Sequence, residues 1–411
     1  MSKQFNMADL DALFKIKYEK LSENVYNSAN VLLGRVKKSY KFTGSKLQIT
    51  VPSSFAGGVG SGLLPTANKA NYVAAEITAK KVYARVDIDR ETIKASQSSE
   101  GAFVQATKEV VKKAVESYMR NMSRILFGDG SGKLGGIASV SGQVVTISDA
   151  TFNEANLEER DLVDITVTTD DGSVDEVVLQ AGLEILEVDV VAKTVKLSEA
   201  VTAAASGKTL GSLVMQNSFG NDPMGLKGAL LPESAQGKLY EIDRARRWSG
   251  NEIDKTSATG AAKIVSTQLL NEMMLNIKKK SGKSPNLIMC SFVQFEKILG
   301  IIDDNVQYKV ETRAGLKGKN GAPLSFSGIQ FMSIDGPVGV FPERFIEDDR
   351  IYFLNDSHIH IHHRPDFGWF DDDGTVLLRK ADLDAYEARY GGYLNIYINP
   401  CFHGVIKGLE V

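Results

Sequence analysis

The stretch SEGAFVQATKEVVKKAVESYMRNMSRILF, residues 99–127, carries apolar residues at three- and four-residue spacing. Phe103, Ala106, Val110 and Ala114 form one row; Val111, Val115, Met119, Met122 and Leu126 form the next. Lys108, Glu109, Lys112, Lys113, Glu116 and Arg120 occupy much of the opposite face. That period is near 3.6, so an amphipathic helix is expected over Ser99–Phe127, roughly 40 Å long at 1.5 Å per residue. Ser98 or Ser99 can cap its start, and Gly128-Asp129-Gly130 stops it. Such a rod inside a mixed domain is a structural beam without chemistry of its own.

Upstream, residues 7–33 read as a second helix, with Leu10, Leu13, Phe14, Leu21 and Val25 on one side and Gly34 at its end. Standing alone at the terminus, it needs its own domain or a neighbouring subunit to lie against. Alternation from Tyr40 to Val51 and from Val73 to Ile88 predicts two strands, the second switching face at Lys80-Lys81. About twenty residues separate them, including Phe55, Leu63, Leu64 and Pro65. A connection of that length marks a projecting functional loop, and a lone two-stranded ribbon needs a partner.

Downstream, short strands at Val144–Ile147, Leu162–Val167, Val174–Leu179, Leu183–Val188 and Thr194–Leu197 predict an inserted sandwich or barrel of about seventy residues. Asp170-Asp171-Gly172-Ser173 is a hairpin turn signal within it. Mixed α/β texture follows Gly220. A helix is expected over Thr259–Lys280 with Ile264, Leu269, Leu270, Met273, Met274 and Ile277 inward, then a buried strand Leu287–Cys290 and a short helix capped by Ser291. Strands follow near Ile329–Ile334, Arg350–Leu354, His358–His362, Val376–Arg379 and Gly391–Pro400, the last leading into Phe402–Ile406.

The chain has 411 residues, enough for two or three domains. Its 48 basic and 51 acidic residues give a net charge of -3, which excludes a dedicated nucleic-acid binder. Two cysteines, Cys290 and Cys401, cannot build a disulfide framework or a four-ligand zinc site, so a reducing compartment is expected. No apolar run reaches the ~18 residues of a membrane span, and no signal peptide is expected.

Motifs with chemical potential are weak. Gly128–Gly136 is glycine-rich, but it follows a helix and Leu134 stands after Lys133, so a helix stop and hinge accounts for it better than a phosphate loop. His358, His360, His362 and His363 crowd four of five histidines into six residues. On a strand the first three share a face, which reads as a polar face against solvent or another subunit rather than a metal site, with a pH response near pH 6. Asp371-Asp372-Asp373-Gly374 reads as a solvated turn. Arg244, Arg246, Arg247 and Trp248 form a basic and aromatic cluster that could touch nucleic acid, though a solvated or intersubunit patch is the commoner use. No enzyme motif and no cofactor or metal site is expected.

Several segments carry a family resemblance: Leu64-Pro65, Lys80-Lys81-Val82-Tyr83, Ile88-Asp89-Arg90-Glu91, Ala95-Ser96, Gly101-Ala102-Phe103, Phe127-Gly128-Asp129-Gly130-Ser131-Gly132, Gly225-Leu226-Lys227-Gly228, Tyr393–Pro400 and Gly404-Val405. In order and spacing they resemble the major capsid proteins of tailed bacteriophages, whose α+β architecture is the Johnson or Hong Kong 97-like fold. The resemblance implies an N-terminal arm at 1–36 and an E-loop β-ribbon at 37–95. It implies a P-domain with the spine helix at 96–139, completed by 380–411. It also implies an inserted all-β module at 140–217 and an A-domain at 218–379.

By that resemblance the chain would assemble with itself as hexamers and pentamers into an icosahedral shell in the bacterial host cytoplasm and then form the virion capsid. Scaffold and portal proteins would be partners, packaged double-stranded DNA would be touched only weakly and non-specifically, and no membrane would be involved. Only about 35 residues precede the first strand, so a separate scaffold, or none, is expected. Lys69 and Lys80 lie on or beside the loop, but no motif selects either for cross-linking, and none is expected. The expected intersubunit contacts are Leu10, Leu13 and Phe14 on the arm, Phe55, Leu63 and Leu64 on the loop, and Arg246 and Arg247. An encapsulin-type compartment shell is the nearest alternative. An adhesin or tail component fits the β-module but not the spine helix, and a soluble enzyme would need catalytic partners for its histidine strand.

Overall fold

The computed structural model describes residues 31–39, 42, 44–52, 72–90, 100–149, 151–168, 176–202, 208–235, 237–303, 329–333, 335–364, 368–371, 376, 378–380 and 383–411. The architecture is α+β, with strands far outnumbering helical residues. The long helix runs over Glu100–Phe127. Ala114, Val115, Tyr118, Met119, Met122, Ile125 and Leu126 are buried, while Lys112, Lys113 and Glu116 face solvent. From Met122 to Phe127 every residue is buried, so the last turns are enclosed on all sides. Gly225 crosses the end of the helix so closely that a Cβ there would lie 2.2 Å from the Ile125 carbonyl oxygen; only glycine fits.

Two sheets flank this beam. The first joins distant parts of the chain: Lys37–Ser39, Ile359–His363, Ala385–Ile398 and Gly368–Trp369 lie in that order. Lys80–Asp89 and Leu378–Arg379 also pair with the fourteen-residue strand Ala385–Ile398. Tyr118 of the helix meets Tyr390 of that strand edge-on, with ring centroids 5.3 Å apart. The second sheet has the order Asn251–Asp254, Gly404–Lys407, Ile351–Leu354, Leu287–Cys290, Gly336–Pro342, Ile329–Ser333. Leu287–Cys290 is buried along its whole length because it is paired on both edges and covered on both faces.

The helix over this second sheet begins at Thr267, later than its apolar pattern predicted, because the Ser266 hydroxyl caps it by accepting the Leu269 N–H at 3.2 Å. Leu269, Leu270, Met273, Met274 and Ile277 are buried, but Ile264 lies before the cap and is 47% exposed. Gly282, at φ +76°, ends the helix.

Residues 133–215 form a closed six-stranded barrel, in the order Leu210–Met215, Lys133–Ser141, Val144–Ile147, Thr194–Leu197, Glu176–Asp189, Leu162–Thr168. Val145, Val163, Ile165, Leu183, Ile185, Val195, Leu197 and Leu213 fill it. Two sequence readings change here. The glycine-rich segment is a helix stop only as far as Gly132; from Lys133 it is the first barrel strand, with Leu134 in the barrel core. The two strands expected at Val174–Leu179 and Leu183–Val188 are one continuous strand, carried through register shifts around Gly182, whose φ is +76°. The Asp170–Ser173 turn lies outside the described residues. The barrel is tied to the long helix by Arg120, whose guanidinium is 2.9 Å from Asp161 and 2.6 Å from Glu158. Below it, Arg124 meets Asp222 at 2.9 Å, both side chains about nine-tenths buried.

Candidate intersubunit surfaces

The ribbon is built from Lys46–Pro52 and Tyr72–Thr78, paired antiparallel from Lys46↔Thr78 to Pro52↔Tyr72. The face switch predicted near Lys80 is a break at Ala79: the chain leaves the ribbon and enters the first sheet as Lys80–Asp89. The first ribbon strand starts at Lys46 rather than Tyr40. Directly opposed residues of an antiparallel pair share a face. Leu47/Ile77, Ile49/Ala75 and Val51/Val73 therefore make one apolar stripe along the ribbon. At the root, Ala75 and Ile77 are buried in the main core. Farther out the same stripe is less covered: Val73 is 40% exposed, and beside it Tyr72 is 63% exposed. In this outermost described pair of the stripe Val51 still packs against the main core, while Val73 is partly exposed.

The ribbon root is supported within the chain, whereas the sequence pattern alone assigns that support to a partner. The Glu76 N–H donates to the Tyr240 carbonyl at 3.0 Å. Tyr240 and Glu241 link Lys238–Leu239 to Ile242–Asp243 in a two-residue turn with φ of +52° and +65°, a conformation that non-glycine residues rarely adopt. Tyr240 is held there by its buried hydroxyl, which donates to the Ile396 carbonyl at 2.7 Å and accepts the Ile398 N–H at 3.2 Å. Burial keeps that phenol protonated. Nothing in the local sequence signals this turn, because Tyr-Glu lacks the Asn-Gly or Asp-Gly pattern.

The basic and aromatic cluster divides. Arg244 points inward, donating to the carbonyls of Gly228, Ala229 and Leu231 at the C-terminal end of the short helix Leu226–Ala229. Trp248 is buried, and its indole N–H donates to the Leu239 carbonyl at 3.1 Å. Arg246 and Arg247 are exposed on the surface between them. Leu10, Leu13, Phe14, Phe55, Leu63, Leu64 and Lys69 lie outside the described residues. The Lys80 ammonium donates to the Gly220 carbonyl at 3.0 Å.

The histidine strand is an interior strand, not the polar face its alternation predicts. Ile359–His363 lies inside its sheet, paired to Lys37–Ser39 on one edge and to Ala385–Ile398 on the other. His362 and His363 are buried, as are Ile359 and Ile361. This is no polar outer face, because both sides of the strand are covered. His360 stacks on Tyr397 at 6.2 Å, and His358 precedes the strand, stacked flat on Phe402 at 3.6 Å. Burial, then the neighbouring Lys283, His360 and Lys37, lowers the His358 pKa to about 4, so its titration moves well below pH 6. No group of three or more potential metal ligands exists among the described residues. Lys133, the lysine of the glycine-rich segment, is bound to Glu176 at 2.6 Å.

No family model matches the chain, and no curated protein matches it by sequence. Solved structures do match. The cyanophage A-1(L) capsid is similar with a TM-score of 0.51 at 12% identity, covering 92% of each chain. The capsid of an empty GTA particle is similar with a TM-score of 0.46 at 7% identity, covering 92% of this chain and 89% of that one. An encapsulin complex from Synechococcus elongatus is similar with a TM-score of 0.45 at 7% identity, covering 92% and 87%. On the strength of the cyanophage match, the chain has the Hong Kong 97-like capsid fold.

Proposed function

We propose that this chain is the major capsid protein of a tailed double-stranded DNA bacteriophage, closing with its own copies into an icosahedral shell of hexamers and pentamers. The observation that carries the reading is the ribbon's apolar stripe, which is buried at its root and 40% exposed at Val73, in a chain of this fold. A two-stranded ribbon with an exposed apolar face gains stability only against another surface, and in a shell that surface is the next subunit. Weak contacts of this kind multiply when many copies close symmetrically.

In this reading residues 1–36 are the arm and 37–95 the E-loop. The long helix is the spine of a P-domain completed by the final strands, and the second sheet with its helices belongs to an A-domain. The barrel is an insertion between them. Scaffold and portal partners, and loose contact with packaged DNA, belong to the same proposal.

The test is electron microscopy and light scattering on the protein expressed alone and with a phage scaffold. Closed shells, rings or capsomers are expected. Val73→Asp, at an exposed position, should leave a folded chain that assembles poorly, and Arg246→Glu/Arg247→Glu should weaken assembly in a salt-dependent way. A monodisperse monomer under every condition overturns the proposal.

A further inference from the structure

Between the barrel and the second sheet lies a cleft of ≈ 970 Å³. Its apolar wall includes Phe152, Val190 and Phe292, the last 60% exposed although it starts a helix over a packed core. At its mouth Val191 is 94% exposed, at the tip of the hairpin joining Glu176–Asp189 to Thr194–Leu197. The Asp189 carboxylate accepts the N–H groups of Val191 and Ala192, both at 2.9 Å, so this apolar tip is held in place.

The same cleft carries surplus negative charge. Glu154 from the barrel side and Asp348 from the sheet side face each other, and neither has an ion pair within 4.0 Å among the described residues. Buried Glu343 adds a third carboxyl group. The nearby cations have other partners along the cleft: Lys193 pairs with Asp149 at 2.8 Å while partly offsetting the charge of Asp348, Arg350 pairs with Glu347, and Arg344 lies over the Phe345 ring at 5.1 Å. Burial, then repulsion from Glu154 and Asp349, raises the Asp348 pKa, and burial pushes Glu343 up to about 7, as expected where carboxyl groups crowd a partly enclosed cleft.

The complementary chemistry is present in the chain itself. Residues 305–320, NVQYKVETRAGLKGKN, carry Lys309, Arg313, Lys317 and Lys319 against the single acidic Glu311, interleaved with Val306, Tyr308, Val310 and Leu316. The other long stretches outside the described residues lack this surplus: residues 1–30 balance four lysines with two aspartates and two glutamates, and 53–71 hold only Lys69. We infer that the cleft between barrel and sheet is the docking groove for residues 305–320 of a second copy of the chain. The basic residues of that segment, Arg313 and Lys317 among them, supply the charge that complements Asp348 and Glu154, and its apolar residues match the exposed Phe292. The inference rests on the shell proposal, because only an assembly presents the neighbour's segment at high effective concentration.

The test uses the full chain. In a Cys401→Ser background, Val190→Cys with Lys317→Cys should give, on oxidation of assembled particles, a ladder of covalent multimers, whereas each single cysteine should not. Separately, Glu154→Lys/Asp348→Lys should lower the assembled fraction about tenfold, and adding Arg313→Glu/Lys317→Glu should restore it. A cross-link confined within one chain, no cross-link at all, or a charge reversal that leaves assembly intact overturns the inference while the shell proposal stands. Failure of the unaltered chain to assemble removes the shell proposal instead.

Discussion

The Arg124–Asp222 pair fixes the end of the long helix to the segment leaving the barrel, and its removal has a calculable effect. The charges sit 2.9 Å apart with side-chain exposures of 9% and 10%, so solvent screening is slight. At an effective dielectric of ~20 their attraction is about 6 kcal/mol before desolvation is subtracted. Arg124→Met leaves the Asp222 carboxylate buried without its partner, and the expected loss is about 3–5 kcal/mol. Arg124→Met with Asp222→Leu removes both charges and should recover all but about 1 kcal/mol of that loss. The assay is urea unfolding of the unassembled protein, followed by fluorescence of Trp248, which lies in the same core as the helix. If Arg124→Met shifts stability by less than about 1 kcal/mol, or if the double variant loses the sum of the two single losses, the pair is not the clamp the geometry describes.

Three further outcomes follow from the same structure. Ile288→Ala, in the fully buried centre of the second sheet, should lower stability by about 2–5 kcal/mol, read as a lower urea midpoint at unchanged slope. Gly225→Ala should destabilise the helix end sharply, because its Cβ would meet backbone carbonyl oxygens that cannot move aside; an unchanged melting temperature would contradict the close approach. His403 is fully buried, its Nδ1 accepts the Asn355 N–H at 3.1 Å, and burial, then His358, lowers its pKa to about 3. Its folded pKa lies below the unfolded value, so its contribution is complete above about pH 6.5 and is lost as pH falls toward 3. Between pH 7.5 and pH 5 wild type should therefore lose about 2 kcal/mol more than His403→Gln, and equal losses would show that this histidine is not the titrating group.

The long helix was legible because its apolar rows persist over many turns, and the buried strand Leu287–Cys290 because four consecutive apolar residues leave no solvent face. What stayed hidden depended on partners far away in sequence. Leu134 and the glycines beside it look like a hinge until the strand Leu210–Met215 pairs with them and closes the barrel. The histidine strand alternates as a half-exposed strand would, yet pairing on both edges and cover on both faces bury His362 and His363. Arg244 and Trp248 read as surface residues from composition, but Arg244 turns toward orphan carbonyls and Trp248 completes an aromatic cluster with Tyr240 and Tyr397. Of the candidate surface, only the outward part of the ribbon stripe and Arg246 and Arg247 fall where the structure describes them.

The pairing of Lys80–Asp89 with Ala385–Leu394 has a consequence in time. The two strands are separated by roughly 300 residues, so a ribosome adding about 5–20 residues each second needs on the order of 15–60 s to deliver the second after the first. During that interval the strand that continues from the ribbon waits without its mate, while the barrel, whose strands are all local, can already close. The sheet that anchors the ribbon is thus finished only after Ala385–Leu394 has been made. Synthesis itself delays the moment at which a chain presents a correctly mounted ribbon to its neighbours.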